Sequence, residues 1–412
     1  MRNKKILIVN AFFSPWGGAE IIAYNTYKLL KKQNFETYFW ASDKKDYFEK
    51  VSYDNYFSKF NVGINNYIKN PLKYYYNYEA KKQLNKFIHY IKPDLIHVHS
   101  LYGITNSVLE CCKNVPTIMT LHDASLICPS AELLYKNNKY CEKQYCKDRN
   151  FLPCIFNKCS KNSLEASIRH SLLTYINNFN LKYVNKFITP SHKLRELFLS
   201  SNIGIATSDI KVINNFLPQE ELEITPNLAN KGYFLFIGRL SKEKGVHYLL
   251  KAMKDLPREI EVHIVGKGAE ENKLKQYAKE NNLDNVKFLG FKNREEIKEE
   301  YQNCIATILP CNWFENFPTT NMESFINGKP VIASNIGGIP EQVEHNKTGL
   351  LFEPTNVEQL KECIIKYWNN PNLVVEHGKN AYEKAKKQYT EERYYNKLMK
   401  VYEEVLSNAK QY

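Results

Sequence analysis

Short apolar runs rich in β-branched residues alternate with helical patterns along most of the chain. The runs are continuous rather than alternating, which is typical of parallel strands buried on both faces. The strands they predict are Lys5–Asn10, Thr37–Ala41, Asp94–His99, Thr117–Leu121, Phe187–Thr189, Lys211–Ile213, Tyr233–Ile237, Glu261–Val265, Val286–Leu289, Ala306–Leu309, Pro330–Ala333 and Gly349–Phe352. The clearest helical patterns between them are Ile21–Lys32, Gly245–Lys254, Glu271–Glu280 and Arg294–Gln302. This alternation predicts an α/β protein built on doubly wound parallel sheets.

The predicted strands form two sets, divided by a polar stretch with two prolines at residues 218–230. The chain has 412 residues, a length that suits two or three domains at about 100–200 residues per domain. We therefore expect two Rossmann-like domains, over residues 1–217 and 218–385. Residues 386–412 have a charged helical pattern with no strand after it.

Positive charge is concentrated in the first half of the chain. Residues 1–217 contain 30 basic and 16 acidic side chains, whereas residues 218–412 contain 27 and 28. This asymmetry predicts that the first half meets a polyanion or an anionic membrane surface.

The segment Phe57–Lys92 combines seven lysines and nine aromatic residues with a single acidic residue, Glu79. Basic residues interleaved with aromatic ones fit single-stranded nucleic-acid binding or an interfacial membrane surface. The alternative is a helical hairpin with a solvated lysine face and its tyrosines toward the core.

The sequence also indicates the cellular compartment of the protein. No run approaches the roughly 18 apolar residues of a spanning helix, and Ile6–Val9 is shorter than the about 7–15 residues of a signal-peptide core. We therefore expect a cytoplasmic protein whose ten cysteines are reduced thiols or metal ligands. Five of them fall in one insert at residues 128–159, namely Cys128, Cys141, Cys146, Cys154 and Cys159. Such density predicts either a structural zinc site or a small packed insert with free thiols.

Two loops after predicted strands carry features suited to phosphate. Gly17 and Gly18 open the first helix, where glycine lets backbone N–H groups approach an anion; the alternative is an ordinary tight turn. Arg239 and Lys244 follow the strand Tyr233–Ile237. An arginine fork and a lysine point charge on one loop can hold two phosphates, although a solvated loop would have the same sequence.

A third loop follows the strand Ala306–Leu309 and carries two glutamates, Glu315 and Glu323, separated by seven residues. Pro318 suits the first turn of a helix that would start near Thr319. Glu315 then lies before this helix and Glu323 about one turn inside it. One carboxylate can accept hydrogen bonds from a sugar and the other from a ribose, with a diphosphate at the helix N-terminus between them.

The dinucleotide fingerprint, by contrast, is incomplete. The nearest match, at residues 266–271, lacks the third glycine and follows a strand in the second half. A nicotinamide-dependent enzyme is therefore disfavoured.

Together these motifs resemble the retaining GT-B glycosyltransferases of glycosyltransferase family 4 (glycosyl transferases group 1), of the bacterial surface-polysaccharide type. The resemblance covers nearly the whole chain and is stronger in the second half. It rests on PWGGAE at 15–20, PDLIHVHS at 93–100, TLHD at 120–123, PSHKLRE at 190–196, VINN at 212–215, FIGRLSKEKGVHYLL at 236–250, the two-glutamate stretch at 315–323 and PVIASNIGGIPEQVEHNKTGLLFEP at 330–354.

The resemblance implies an N-terminal acceptor domain, a C-terminal donor domain, a cleft between them and a final helix that returns to the first domain. Arg239 and Lys244 would hold the donor pyrophosphate, Glu323 the ribose and Glu315 the hexose. Backbone N–H groups around Phe317, Thr319 and Thr320 would help, although Pro318 stands here where many relatives carry glycine. Gly17 and Gly18 would approach the phosphates from the other side of the cleft, and His122 would lie near the reacting carbon.

The activity implied is transfer of a hexosyl unit from a UDP- or GDP-sugar to a glycan or lipid-linked acceptor, with retention and without a catalytic metal. The leaving phosphate would accept the proton of the acceptor. Peripheral attachment to the inner face of the plasma membrane would fit the basic first half. The alternatives are a GT-B sugar epimerase or phosphorylase and a nucleic-acid-binding protein. We expect no nucleic-acid partner because the donor-site residues lie in the neutral half.

Overall fold

The computed structural model describes residues 4–13, 17–41, 71–135, 139–141, 144–228 and 232–408. The chain divides into two compact units. The N-terminal unit comprises Met1–Asn214 together with Tyr394–Tyr412, and the C-terminal unit comprises Asn215–Arg393. The sequence led us to expect these boundaries at residues 217 and 386.

The N-terminal unit is built on a parallel sheet. Its strands are β1 (Lys5–Val9), β2 (Glu36–Trp40), β3 (Leu95–Val98), β4 (Thr117–Thr120), β5 (Leu134–Tyr135), β6 (Lys139–Tyr140), β7 (Lys186–Thr189) and β8 (Ile210–Val212). Six of them form a sheet in the order β2-β1-β3-β4-β7-β8, with every pair parallel. Strands β3, β4 and β7 are buried at every residue, which explains their continuous apolar character. The short β5 and β6 form a separate antiparallel pair that the sequence did not suggest.

The helices of this unit are α1 (Gly18–Lys32), α2 (Tyr78–Ile91), α3 (Leu152–Phe156), α4 (Leu164–Phe179) and α5 (His192–Ser201). Of the basic segment Phe57–Lys92, residues 57–70 lie outside the described residues. The described part contains α2, which Asn77 caps by accepting a hydrogen bond from the N–H of Ala80. Leu84, Phe87 and Ile91 on one side of α2 are buried and serve the core. Tyr78 and Tyr90 of the same helix are exposed, so only part of the expected placement of the tyrosines toward the core is seen.

The C-terminal unit has a second parallel sheet. Its strands are β9 (Tyr233–Ile237), β10 (Val262–Val265), β11 (Val286–Gly290), β12 (Cys304–Leu309), β13 (Val331–Ser334) and β14 (Gly349–Phe352). They form one sheet in the order β11-β10-β9-β12-β13-β14, with every pair parallel. This is the strand order of a doubly wound Rossmann fold.

Helices cover this sheet: α6 (Gln219–Leu222), α7 (Val246–Lys254), α8 (Glu271–Glu280), α9 (Arg294–Asn303), α10 (Thr319–Ile326), α11 (Ile339–Gln342), α12 (Val357–Asn369) and α13 (Pro371–Gln388). Helices α7 and α12 pack against each other, and Leu249 and Ile364 join Phe234 of β9 in one buried apolar cluster. Each such side chain contributes about 1.5–3 kcal/mol through removal from water.

The last helix, α14 (Glu391–Asn408), lies mostly in the N-terminal unit. The hydroxyl of Tyr394 is 2.9 Å from that of Thr26 on α1. The hydroxyl of Tyr402 is 2.8 Å from Nδ1 of His97 on β3. Both contacts are buried. No helix within the described ranges is long and apolar enough to cross a membrane.

Candidate active site

Two loops meet at the carboxyl edge of the second sheet. One follows β9 and the other follows β12, and these strands are neighbours. Strands β10 and β11 lie on one side of β9, and β12 lies on its other side. The strand order therefore reverses between β9 and β12. Open α/β sheets bind ligands at that point.

Gly245 makes the approach of the two loops possible. Its φ of +73° is in the left-handed region, and a Cβ placed on it would lie 1.8 Å from the carbonyl oxygen of Pro310. The backbone N–H of Asn312 also donates to the carbonyl of Glu243 at 3.1 Å. The turn that carries Lys244 is thereby fixed against the loop that carries Glu315.

Lys244 and Glu315 form an ion pair. Glu315 also accepts a hydrogen bond from the indole N–H of Trp313 at 3.1 Å, and the ammonium lies 5.2 Å from the centre of the Trp313 ring. Burial opposes the charge of Lys244, but the nearby carboxylate outweighs it and raises the pKa of the ammonium above its ordinary value. The lysine is therefore a permanent cation at neutral pH.

Arg239 is more accessible, with 65% of its side chain exposed. Its guanidinium donates to Glu243 at 2.9 Å, and the hydroxyl of Ser241 donates to the same carboxylate at 2.6 Å. Burial alone would raise the pKa of Glu243, but the hydrogen bonds from Ser241 and Arg239 hold it below its usual range. The loop thus presents one exposed and one half-buried cation, each beside a carboxylate.

The glycine-rich loop at residues 335–341 packs against the backbone of Glu315. The N–H of Gly338 donates to the carbonyl of Glu315 at 2.8 Å. Gly337 has φ +62°, and a Cβ on it would lie 2.2 Å from that carbonyl oxygen. Just beyond, the buried Gln342 donates to the carbonyl of Pro318 at 3.1 Å and accepts from Asn321 at 3.0 Å.

Helix α10 begins at Thr319, as the sequence predicts, with Pro318 before it and no side chain capping its first turn. Thr319 and Thr320 are half-buried, so the end with the positive helix dipole is accessible to an anion. Phe317 differs, since its ring is buried edge-on against Tyr389 at 5.8 Å and its carbonyl accepts from Asn215 at 3.1 Å. Its side chain packs inside the unit, so only its backbone is suited to a ligand.

Glu323 has partners that sequence reasoning missed. It accepts a hydrogen bond from the hydroxyl of Tyr301 on α9 at 2.9 Å, and burial raises its pKa. Glu221 of α6 lies nearby and forms an ion pair with Arg294. Burial raises the pKa of Glu221 to about 7, and the nearby carboxylate of Glu323 adds to the increase. No motif marked Glu221, which stands in the polar stretch interpreted as a linker.

In the N-terminal unit, Gly17 and Gly18 lie at the start of α1. Gly17 precedes the helix with extended backbone, and no side chain caps the first turn. A Cβ on Gly17 would lie 3.3 Å from a carboxylate oxygen of Glu20. The helix starts at the carboxyl edge of the first sheet, directly after β1, where the sequence placed it.

His122 stands beyond β4 in a row of three imidazoles. Its Nε2 is 3.0 Å from Nδ1 of His99, and the two rings are stacked at 5.2 Å. The ring centre of His99 is 4.4 Å from that of His97. Burial lowers the pKa of His122 to about 4, so it is a neutral imidazole at pH 7. The sequence contained a signal for His99, because this residue lies in the family-like motif PDLIHVHS at 93–100.

The incomplete dinucleotide fingerprint has a structural explanation. A Cβ on Gly266 would lie 1.9 Å from the carbonyl oxygen of Gly238, and one on Gly268 would lie 2.2 Å from that of Leu240. These glycines allow the loop that carries Arg239 to pack closely on the loop after β10.

Across the described ranges, no three His, Cys, Asp or Glu side chains are placed so that they could hold a metal ion as they stand. The five cysteines of the insert nevertheless line one cavity.

Two parallel-sheet Rossmann-like units define the GT-B class of glycosyltransferase. The chain belongs to glycosyltransferase family 4: the family model described as Glycosyltransferase Family 4 matches residues 16–221. A second model, described as Glycosyl transferases group 1, matches residues 219–387. These matches give no support to the epimerase, phosphorylase or nucleic-acid alternatives.

Individual relatives agree with this assignment. Over 408 residues the chain is 26% identical to an uncharacterised glycosyltransferase of Methanocaldococcus jannaschii, covering 97% of this chain and 98% of that one. It is 27% identical over 178 residues to O-antigen chain mannosyltransferase C of Escherichia coli, covering 43% and 47%. A crystal structure of Anabaena HepE in complex with UDP-glucose is similar with a TM-score of 0.71 at 19% identity, covering 98% and 100%. At that identity the likeness shows the fold alone.

Proposed function

We propose that the protein transfers a hexosyl unit from a UDP- or GDP-sugar to an acceptor hydroxyl with retention of anomeric configuration. The observation that carries this proposal is the Lys244–Glu315 pair beside the start of α10. There a cation, a carboxylate and a helix N-terminus converge at the point where the strand order reverses. The UDP-glucose bound by the similar Anabaena structure supports a nucleotide-sugar donor.

In this proposal the C-terminal unit binds most of the donor. Lys244 and Arg239 contact the diphosphate, with the first N–H groups of α10 beside them. Glu315 accepts hydrogen bonds from hexose hydroxyls, and Glu323 from the ribose. From the N-terminal unit, Gly17 and Gly18 contribute backbone N–H groups to the phosphates. His122, as a neutral imidazole, contributes a hydrogen bond to the sugar without adding charge.

The reaction breaks the bond between the anomeric carbon and the diphosphate oxygen. The acceptor oxygen bonds to the same face of that carbon, and its proton passes to the departing phosphate oxygen. The developing negative charge lies on the diphosphate, where Lys244, Arg239 and the positive end of α10 stabilise it. These groups take the part that a metal ion plays at other diphosphate leaving groups, so we propose no catalytic metal.

A panel of UDP- and GDP-sugars tests the proposal. Each donor is incubated with the full chain, and release of UDP or GDP is measured with and without simple glycoside acceptors. We expect one donor to be consumed well above the rest, and Lys244→Ala to abolish most of that release. The exposed neighbour Lys242 provides the control Lys242→Ala. Equal release by wild type and Lys244→Ala would refute the site.

We further propose that the acceptor is a glycan or lipid-linked sugar of a cell-surface polysaccharide. The likeness to an O-antigen chain mannosyltransferase supports this class of acceptor. The surface of α4 supports a lipid-linked acceptor, because it suits contact with a membrane. Five apolar residues on one face of that helix are 43–50% exposed: Leu164, Ile168, Leu172, Tyr175 and Phe179.

Helix α4 has the reverse of the usual polarity for a helix on a globular protein. Its buried side is small and polar, formed by Ala166, Ser167, Ser171, Thr174 and Asn178. The chain from Lys147 to Lys182 has six basic and two acidic residues, and Lys158, Lys161 and Lys182 are exposed. An apolar stripe near exposed lysines suits an anionic membrane surface, at about 1 kcal/mol for each lysine near it.

Liposome flotation tests this attachment. We expect recovery with vesicles containing anionic lipid at low salt, less recovery at high salt, and little with neutral vesicles. The double variant Ile168→Glu/Leu172→Glu should lower recovery at least fivefold. Phe291 in the C-terminal unit is 73% exposed, and Phe291→Glu is the matched control. Equal recovery on both lipid types would favour a soluble acceptor.

A further inference from the structure

The insert at residues 128–159 brings distant cysteines to one place. Its five thiols, at Cys128, Cys141, Cys146, Cys154 and Cys159, line the same cavity. Cys154 and Cys159 are close enough for a thiol–thiol hydrogen bond, and none of the five is in a disulfide. The insert holds half of the ten cysteines of the chain.

The backbone of this region is unusually strained. Eight non-glycine residues between Ala131 and Asn162 have φ between 44° and 61°: Ala131, Leu133, Gln144, Asp148, Arg149, Lys158, Lys161 and Asn162. Such left-handed conformations cost about 1–2 kcal/mol each for residues other than glycine, asparagine and aspartate. In the described parts of this region, regular structure is limited to the short β5, β6 and α3.

Apolar packing offers little to offset this strain. Among the described residues of the insert, the large buried apolar side chains are Leu133, Leu134 and Phe151. Small irregular segments that cannot build a core are generally held by disulfides or by a metal. The thiols are therefore the candidates for holding this segment together.

Cys154 has several polar neighbours. It is within hydrogen-bond reach of the thiol of Cys159 and lies close to the hydroxyls of Ser171 and Ser160. A bound divalent ion would offset the cost of burying several thiolates together.

We propose that Cys128, Cys146, Cys154 and Cys159 bind one zinc ion that holds the insert in its fold. Cys159 is within electrostatic range of Cys154, Cys128 and Cys146, whereas Cys141 is near Cys154 and Cys146. Four thiolates are the ligand set of structural tetrahedral zinc sites. The sulfurs do not stand as a coordination sphere in this structure, so zinc binding requires the side chains to turn inward between staggered χ1 positions. Cys141 remains on the cavity wall.

This site does not depend on the proposed function, since none of its ligands belongs to the donor-binding residues. The insert begins six residues after His122, so the ion also orders the chain that leaves β4. Zinc binding contributes folding free energy directly. Removal of zinc should therefore loosen the insert whether or not a glycosyl donor is found.

The test is the metal content of the full chain, purified without chelator and measured by plasma mass spectrometry. We expect about one zinc per chain, released when the thiols are modified by a mercurial. After exchange into cobalt(II), the protein should show the visible absorption of a tetrahedral thiolate site. Both measurements use wild-type protein and need no variant to fold.

Variants then assign the ligands. Cys154→Ser and Cys146→Ser should lower the zinc content at least fivefold, whereas Cys141→Ser and Cys363→Ser, the latter on α12, should retain it. Zinc below one tenth per chain, even after reconstitution under reducing conditions, would overturn the proposal. The proposal would also be overturned if mass spectrometry found disulfides among the four cysteines, or if the purified protein contained iron in place of zinc.

Discussion

The ammonium group of Lys244 pairs with the carboxylate of Glu315, 71 residues further along the chain. The two side chains come from the loops after β9 and β12, and Gly245 lets those loops touch. We propose different donor groups for them, the diphosphate for Lys244 and the hexose for Glu315. Without a donor, the ammonium and the carboxylate neutralise each other. This pairing lowers the free-energy cost of holding two charges at a partly buried site. A donor then replaces the pairing with contacts of its own.

Replacing Lys244 by alanine should lower kcat/KM for the nucleotide-sugar by about 10²–10³-fold, because one preorganised positive group facing the leaving diphosphate is lost. Steady-state release of UDP or GDP measures this. Lys242→Ala removes an exposed lysine from the same turn and should stay within twofold of wild type. A loss equal in the two variants would mean that general charge, not the position of Lys244, is responsible.

Gly337→Ala should reduce both stability and transfer, because its Cβ would lie 2.2 Å from the carbonyl oxygen of Glu315. We expect a loss of about 1–3 kcal/mol in the free energy of unfolding and a fall in kcat of more than tenfold. The matched control is Gly204→Ala. Gly204 also has positive φ, at +87°, but its Cβ would meet only the flexible guanidinium of Arg149 at 3.1 Å. An unchanged kcat in Gly337→Ala would remove the role given to the glycine-rich loop.

Glu221→Gln should change how stability depends on pH. The pKa of Glu221 is raised from 4.5 to about 7 by burial and then by Glu323. Between these values the folded state keeps a proton that the unfolded state releases, so this group favours folding increasingly as pH falls from about 7 to 4.5. The variant should therefore be more stable than wild type at pH 8 by about 1–3 kcal/mol, and the gain should vanish near pH 4.5.

Urea unfolding at pH 5, 6, 7 and 8 measures this difference. Glu259→Gln, at an exposed position of the same unit, is the control and should show no such trend. A pH-independent difference between Glu221→Gln and wild type would contradict the buried carboxylate pair.

His122 should act as a neutral group. Burial lowers its pKa to about 4, so stability linked to this residue is present above the ordinary pKa of about 6.5 and is lost as pH falls toward 4. In NMR spectra we expect the ring signals that disappear in His122→Gln to remain those of a neutral imidazole from pH 8 to 5.5. A transition near pH 6.5 would contradict this and point to an acid–base role.

The sequence was sufficient for the strands of both sheets, because parallel strands buried on both faces leave continuous apolar runs. It also located Glu315, Glu323 and the start of α10, since proline is favoured close to a helix N-terminus and Pro318 directly precedes Thr319. It could not join Glu323 to Tyr301 and Glu221, or His122 to His99, because those contacts depend on how strands and helices are ordered in space. The hairpin of β5 and β6 escaped because each strand has two residues, too few for any periodicity.

Proton NMR tests the proposed glycosyl transfer most directly, using a glycoside acceptor and the UDP- or GDP-sugar that the donor panel identifies. The coupling of the anomeric proton gives the configuration of the new bond, and the same spectrum gives the rate for wild type and Lys244→Ala. We predict a product with the anomeric configuration of the donor, formed at least a hundredfold more slowly by the variant. An inverted product, or no consumption of any UDP- or GDP-sugar by the wild-type protein, would contradict the proposed retaining transfer.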